Sequence, residues 1–185
     1  MQCLHCSKKS CKSEAKDCDG THDGSLDRYR EPANQALYRN ADALVAGGRA
    51  GTLSRFEEIV QFAKAQGYDE IALAYCFSME PTAQRVEALL KEAGFRVSSV
   101  RCSTGGVREN EVAPELGTAV NCNPIGQALS VNRSRADFVI EMGLCLGHDV
   151  LFHQHLKKPF TVLIVKDRKL GNNPAAHFDF PLENK

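Results

Sequence analysis

The chain has 185 residues, 43% of them hydrophobic, which is enough for one domain with a sizeable core plus a small appendage. Lysine plus arginine and aspartate plus glutamate balance at 23 each, and no basic block extends beyond Lys157-Lys158 and Arg168-Lys169. Nothing in this charge pattern holds a polyanion, which excludes nucleic acid and anionic membrane as expected partners. No basic-then-apolar leader opens the chain, and its apolar runs fall short of the roughly 18 residues a spanning helix needs, so a soluble cytoplasmic protein is expected.

Eight cysteines in a chain with this much core argue for metal or thiol chemistry in a reducing compartment rather than for a disulfide framework. Four of them, Cys3, Cys6, Cys11 and Cys18, crowd a polar, lysine-rich opening spaced C-x2-C-x4-C-x6-C. That opening has too few apolar residues to build a core, so something other than hydrophobic burial must order it. Two thiolates on one tight C-x2-C turn both face one ion, which points to a tetrahedral zinc-type site; iron–sulfur ligation uses the same residues. A disordered tail with incidental thiols is the competing reading. His5 and His22 read as exposed bystanders, and the turn-rich stretch Asp19 to Gly24 reads as a hinge, giving a Cys-rich metal-binding module over residues 1–25 and an α/β domain over 26–185.

Beyond the hinge, apolar residues at helical spacing predict a helix from Pro32 to Val45, stopped by Gly47-Gly48. A second helix runs from an N-cap at Thr52 to Gly67, and both are expected to pack on the sheet that follows. Glu70 to Ala74 is a short buried strand leading into Tyr75-Cys76. Pro81 to Ala93 is a helix closed by Gly94, and Phe95 to Val100 is a second strand ending at Arg101-Cys102. Residues 109–120 lack a clear period and read as a long loop or a short helix. Asn123 and Pro124 suit the N-cap and first position of a helix burying Ile125, Ala128 and Leu129. The strand Asp137 to Met142, the helix Asp149 to Leu156 and the strand Phe160 to Val165 complete the series, and the residues from Gly171 onward read as a tail laid over the domain.

Alternating elements of this length predict an open parallel four-stranded sheet, Rossmann- or flavodoxin-like, with helices on both faces. Right-handed crossovers favour the strand order 2-1-3-4, with its switch point between the strands leading to Cys76 and Cys145. In that order Cys102, Cys76 and Cys145 end three adjacent strands about 4.8 Å apart. Cys122, on the loop feeding the next helix, is placed to close the set. Cys76, Cys102, Cys122 and Cys145 are therefore expected to form a second thiolate site for zinc or an iron–sulfur cluster, with a redox or sensory role. Against this stands the reading of each cysteine as a small buried hydrophobe. His148, three residues after Cys145 in Gly-Leu-Cys-Leu-Gly-His-Asp, is either a further ligand or a base for the thiol. The second option makes the protein a small-molecule enzyme with Cys145 as nucleophile and His148 as base. A third reading is a regulatory module that senses a ligand and docks a protein partner. His153, His155 and His177 read as surface or packing residues.

The opening cysteine cluster, Cys122-Asn-Pro-Ile-Gly-Gln-Ala, Gly143-Leu-Cys-Leu-Gly-His-Asp and Val165-Lys-Asp-Arg-Lys-Leu-Gly-Asn-Asn-Pro together resemble a family of uncharacterised prokaryotic proteins, a domain of unknown function described as metal-binding. In that family a cysteine cluster precedes an α/β domain. The resemblance spans nearly the whole chain and implies metal binding, with no reaction attached.

Overall fold

The computed structural model describes residues 2–178 and divides after Thr52 into two compact units. The first holds a 3-10 turn at Cys3–His5, a single helical turn at Ser10–Ser13, and the helices α1 (His22–Tyr29) and α2 (Pro32–Val45). The Tyr29 and Tyr38 rings meet edge-on at 5.5 Å, and the Asn34 amide donates to the Arg28 carbonyl at 2.9 Å, which ties the two helices together. No residue of these four elements is buried.

In the second unit, α3 (Arg55–Ala65) leads into β1 (Glu70–Tyr75), α4 (Glu80–Glu92), β2 (Arg96–Arg101), α5 (Pro124–Arg133), β3 (Phe138–Met142), α6 (His148–His155) and β4 (Phe160–Ile164). All neighbouring strands are parallel, in the order β2-β1-β3-β4, as the alternation and crossover argument requires. The two central strands are buried on both faces, which their continuous apolar sequence dictates. On one face, Ile71, Leu73 and Tyr75 of β1 pack with Ile140 and Met142 against Ile59 and Ala63 of α3 and Val86 and Leu90 of α4. On the other, Ala72, Ala74 and Val139 meet Ala128 and Val131 of α5 and Phe152 of α6. Cys76 and Cys102 belong to this second cluster.

Several local expectations are corrected. Ser54, not Thr52, caps α3, because its hydroxyl accepts the Glu57 amide while Glu57 accepts the Ser54 amide; the Thr52 hydroxyl instead donates to the Arg49 carbonyl. Along α5 the inward positions are Pro124, Gln127, Ala128 and Val131, while Ile125 and Leu129 are exposed. Gln127 takes an interior place because its amide donates to the Tyr75 and Val100 carbonyls where the β1–β2 ladder ends. Residues 109–120 contain one helical turn, Glu109–Val112, and a bridge between Arg108 and Val120. Of the expected closing tail, Pro174–His177 forms a 3-10 turn, and residues 179–185 lie outside the described residues.

Candidate functional site

The C-terminal edge of the sheet collects the inner cysteines. β1 runs into Cys76, whose amide donates to the Met142 carbonyl at 3.1 Å, which continues the pairing with β3 by one residue. The chain then turns through Phe77–Met79 into α4. The Cys76 thiol meets Lys166 Nζ at 3.1 Å and Ser78 Oγ at 3.4 Å, and the same ammonium donates to Ser78 Oγ at 2.6 Å. Burial pushes this thiol up, but the hydrogen bonds from Ser78 and Lys166 and the lysine charge outweigh it and bring the pKa from an ordinary 9.0 to about 7.

Cys102 follows β2. Its amide donates to the Tyr75 carbonyl at 2.9 Å, and its sulfur accepts the Phe77 N–H at 3.4 Å and lies 3.5 Å from Cys122 Sγ. Burial drives its thiol up to about 12, against the Phe77 hydrogen bond and with a further push from Cys122. Cys122 is partly open to solvent. Its position is fixed by the Asn123 amide, which donates to the Cys102 carbonyl at 2.6 Å, and by the Asn123 side chain, which accepts from Gly126 to cap α5 and donates to the Thr104 carbonyl. Cys76, Cys102 and Cys122 thus share one neighbourhood.

Cys145 has a different partner. The turn after β3 begins at Gly143, whose φ of +62° and close approach to Met79 suit only glycine, and it carries Cys145 to the Arg168 guanidinium at 3.2 Å. Arg168 is presented by a closed loop in which Asp167 accepts the Lys169 and Leu170 amides and its own amide donates to the Asn172 side chain. The His148 amide donates to the Cys145 carbonyl, but among the described residues its ring makes no hydrogen bond to the Cys145 thiol. Among the same residues, no three Cys, His, Asp or Glu side chains are arranged to hold a metal ion.

Sequence reasoning missed three groups here. Ser78 carries no motif; Lys166 lies in the closing Val165-Lys-Asp-Arg motif, after the last strand at the edge where ligands gather, but nothing in that motif pointed to a thiol partner. His153, read as a surface or packing residue, does pack, its ring lying tilted against Phe160, but it also pairs with Glu141, a carboxylate 3% exposed in β3, which the sequence did not signal. Burial pushes the Glu141 carboxyl up and His153 opposes that rise.

In the first unit, Cys3, Cys6, Cys11 and Cys18 are all exposed, and all line one hollow of about 830 Å³ together with Asp17 and His22. The Lys9 amide donates to Cys6 Sγ at 3.4 Å, and Asp17 accepts the Asp19, Gly20 and His22 amides, which holds the loop that carries Cys18. His22, read from sequence as a bystander, faces the same hollow as the thiols. Four soft donors on short loops match the chemistry of a tetrahedral thiolate centre.

Among the described residues no helix is long and apolar enough to cross a membrane. No solved structure matches the chain significantly. Over 181 residues it is 34% identical to the protein named Uncharacterized protein MJ0455 of the archaeon Methanocaldococcus jannaschii, with 95% of this chain and 92% of that protein aligned. A family profile matches residues 11–163, from the third cysteine of the opening cluster to the last strand, and the chain belongs to the family described as "Protein of unknown function (DUF1847)".

Proposed function

We propose that the chain is a thiolate metal-binding protein whose first unit holds one zinc-type ion through Cys3, Cys6, Cys11 and Cys18. The observation that carries this reading is the hollow that all four cysteines line, in a segment with no buried residue. A stretch without a core must draw its order from another source, and a metal bound by four thiolates supplies folding free energy directly. Iron–sulfur ligation by the same residues is the variant of this reading.

The inner thiols form the second thiolate site of the proposal, for zinc or an iron–sulfur cluster with a redox or sensory role. Cys76, Cys102 and Cys122 are its nearest donors, and Cys145 and His148 are the further ones. Lys166 supports the reading, since it sets a positive charge against the Cys76 sulfur and so favours the anionic form that ligates. Eight free thiols suit a reducing, cytoplasmic setting.

The test is elemental analysis with an absorption spectrum on anaerobically purified protein, comparing the full chain with its Cys3→Ser/Cys6→Ser variant. One zinc per chain, lost in the variant, is the expected result for the first unit. Metal content unchanged by the variant, or a full chain without metal, would refute the N-terminal site. Iron and sulfide retained by the variant would assign a cluster to the inner thiols.

A further inference from the structure

The segments carrying Cys102 and Cys122 are stitched together by backbone and side-chain bonds before their sulfurs are considered. The Asn123 amide donates to the Cys102 carbonyl at 2.6 Å, the Asn121 amide to the Val107 carbonyl at 2.8 Å, and the Asn123 side chain to the Thr104 carbonyl at 3.1 Å. The two cysteines are 20 positions apart in sequence, yet their sulfurs stand 3.5 Å apart, at van der Waals contact. A covalent S–S bond is about 2.05 Å long, so closure asks the two sulfurs to approach by about 1.5 Å between segments already tied together.

The two thiols differ in access. Cys102 is 2% exposed and faces the interior, whereas Cys122 is partly open to solvent at the mouth of α5. Cys76, the third thiol of the neighbourhood, is 3% exposed and engaged by Lys166 and Ser78. One sulfur receives an external reagent and a buried neighbour in contact with it completes the reaction. We propose that Cys122 and Cys102 form a redox-active dithiol that is oxidised by low-molecular-weight disulfides, with Cys122 as the entry thiol and Cys102 as the resolving thiol.

The chemistry balances in two exchanges. The Cys122 thiolate attacks one sulfur of the small disulfide, the S–S bond breaks, and one small thiolate leaves and takes up the proton that Cys122 gave up. Cys102 then loses its proton and attacks the Cys122 sulfur, which expels the second small thiol and leaves a Cys102–Cys122 disulfide. Two electrons pass from the protein pair to the small disulfide, which becomes two thiols. The buried Cys102, with its thiol held up at about 12, resolves the mixed disulfide because it is already in contact, not because it is ionised in the free protein. The inference needs only the two thiols, so it stands apart from any metal at this edge.

The experiment treats the full chain, reduced and freed of metal by chelation, with oxidised glutathione, then blocks free thiols and maps peptides by mass spectrometry. Residues 102 and 122 joined by a disulfide in most chains is the expected result. In the Cys102→Ser variant, whose hydroxyl still accepts the Phe77 amide, the reaction stops at glutathione attached to Cys122, and in Cys122→Ser the internal disulfide is lost. A disulfide joining Cys76 to Cys102, or Cys122 left as freely alkylated as in untreated wild-type protein, would overturn the assignment. The wild-type map alone decides the matter if either variant fails to fold. Metal content, measured separately on untreated protein, reports on the metal reading and not on this one.

Discussion

Replacing Lys166 by methionine removes the ammonium from Cys76 while keeping an apolar stem of similar length. In the wild type, hydrogen bonds from Ser78 and from Lys166, whose Nζ lies 3.1 Å from the thiol, bring its pKa against burial from 9.0 to about 7, so about half of Cys76 is thiolate at neutral pH. Without the lysine, burial opposes ionisation with only Ser78 to offset it, and the value returns toward 9.0. The thiolate fraction at pH 7 then falls toward the roughly 1 in 100 of an ordinary thiol, which is the limit because Ser78 remains, and the drop appears as a slower alkylation of the Cys76 peptide by iodoacetamide. The same pair is linked to stability. A thiol whose folded pKa is depressed contributes stability that is present above the unfolded value of 9.0 and is lost as pH falls through about 7. Two pKa units correspond to about 3 kcal/mol, so urea unfolding of the wild type should show a stability increment of at most that order developing from pH 7 to above pH 9, and the variant should show a smaller one. An alkylation midpoint unchanged in Lys166→Met would refute the assignment of Lys166 as the group that ionises Cys76.

Three further outcomes test the scaffold. His153→Ala leaves the buried Glu141 without its partner; because burial already raises that carboxyl, the ionised form becomes still less favourable, and the loss of about 3 kcal/mol at about pH 8 should shrink toward about pH 5, as denaturant unfolding at the two pH values will show. Gly143→Ala places a Cβ 2.8 Å from Met79 Cγ at a φ of +62°, and should lower stability by about 1–2 kcal/mol from the left-handed backbone alone, readable as a shift in the urea midpoint. Leu90→Ala, at a fully buried position between α4 and the sheet, should cost about 3 kcal/mol by the same measurement while leaving the Cys76 alkylation midpoint unchanged.

The sheet was legible because its information is local and periodic. Continuous apolar runs at β1 and β3, capping signals at Asn123-Pro124 and the alternation of strand and helix leave few topologies once crossovers are right-handed, and the observed β2-β1-β3-β4 order is the simplest of them. Helix faces were less legible. Hydropathy placed Ile125 and Leu129 of α5 inside, but the Gln127 amide donates to the Tyr75 and Val100 carbonyls and so takes an inward position, while Ile125 and Leu129 are exposed. Within the candidate site, element ends predicted that Cys76 and Cys102 would be neighbours, and a long-range backbone bond to Asn123 brings Cys122 to them. The position of Cys145 depends on the glycine turn at Gly143 and on the path of the chain after β4, neither of which a periodicity reveals. Lys166 and Arg168 were invisible as partners for the same reason, since their side chains act at a distance of many residues from the sulfurs they hold.

The contact between Lys166 and Cys76 joins residues 90 positions apart, and the lysine stands two residues beyond the last strand. During synthesis, β1 and its cysteine emerge well before the segment that supplies the charge. Until β4 has added to the sheet and delivered Lys166, the Cys76 sulfur has no cation beside it and keeps the proton of an ordinary thiol. The lowered thiol pKa is therefore a property of the finished sheet and not of the β1 segment alone.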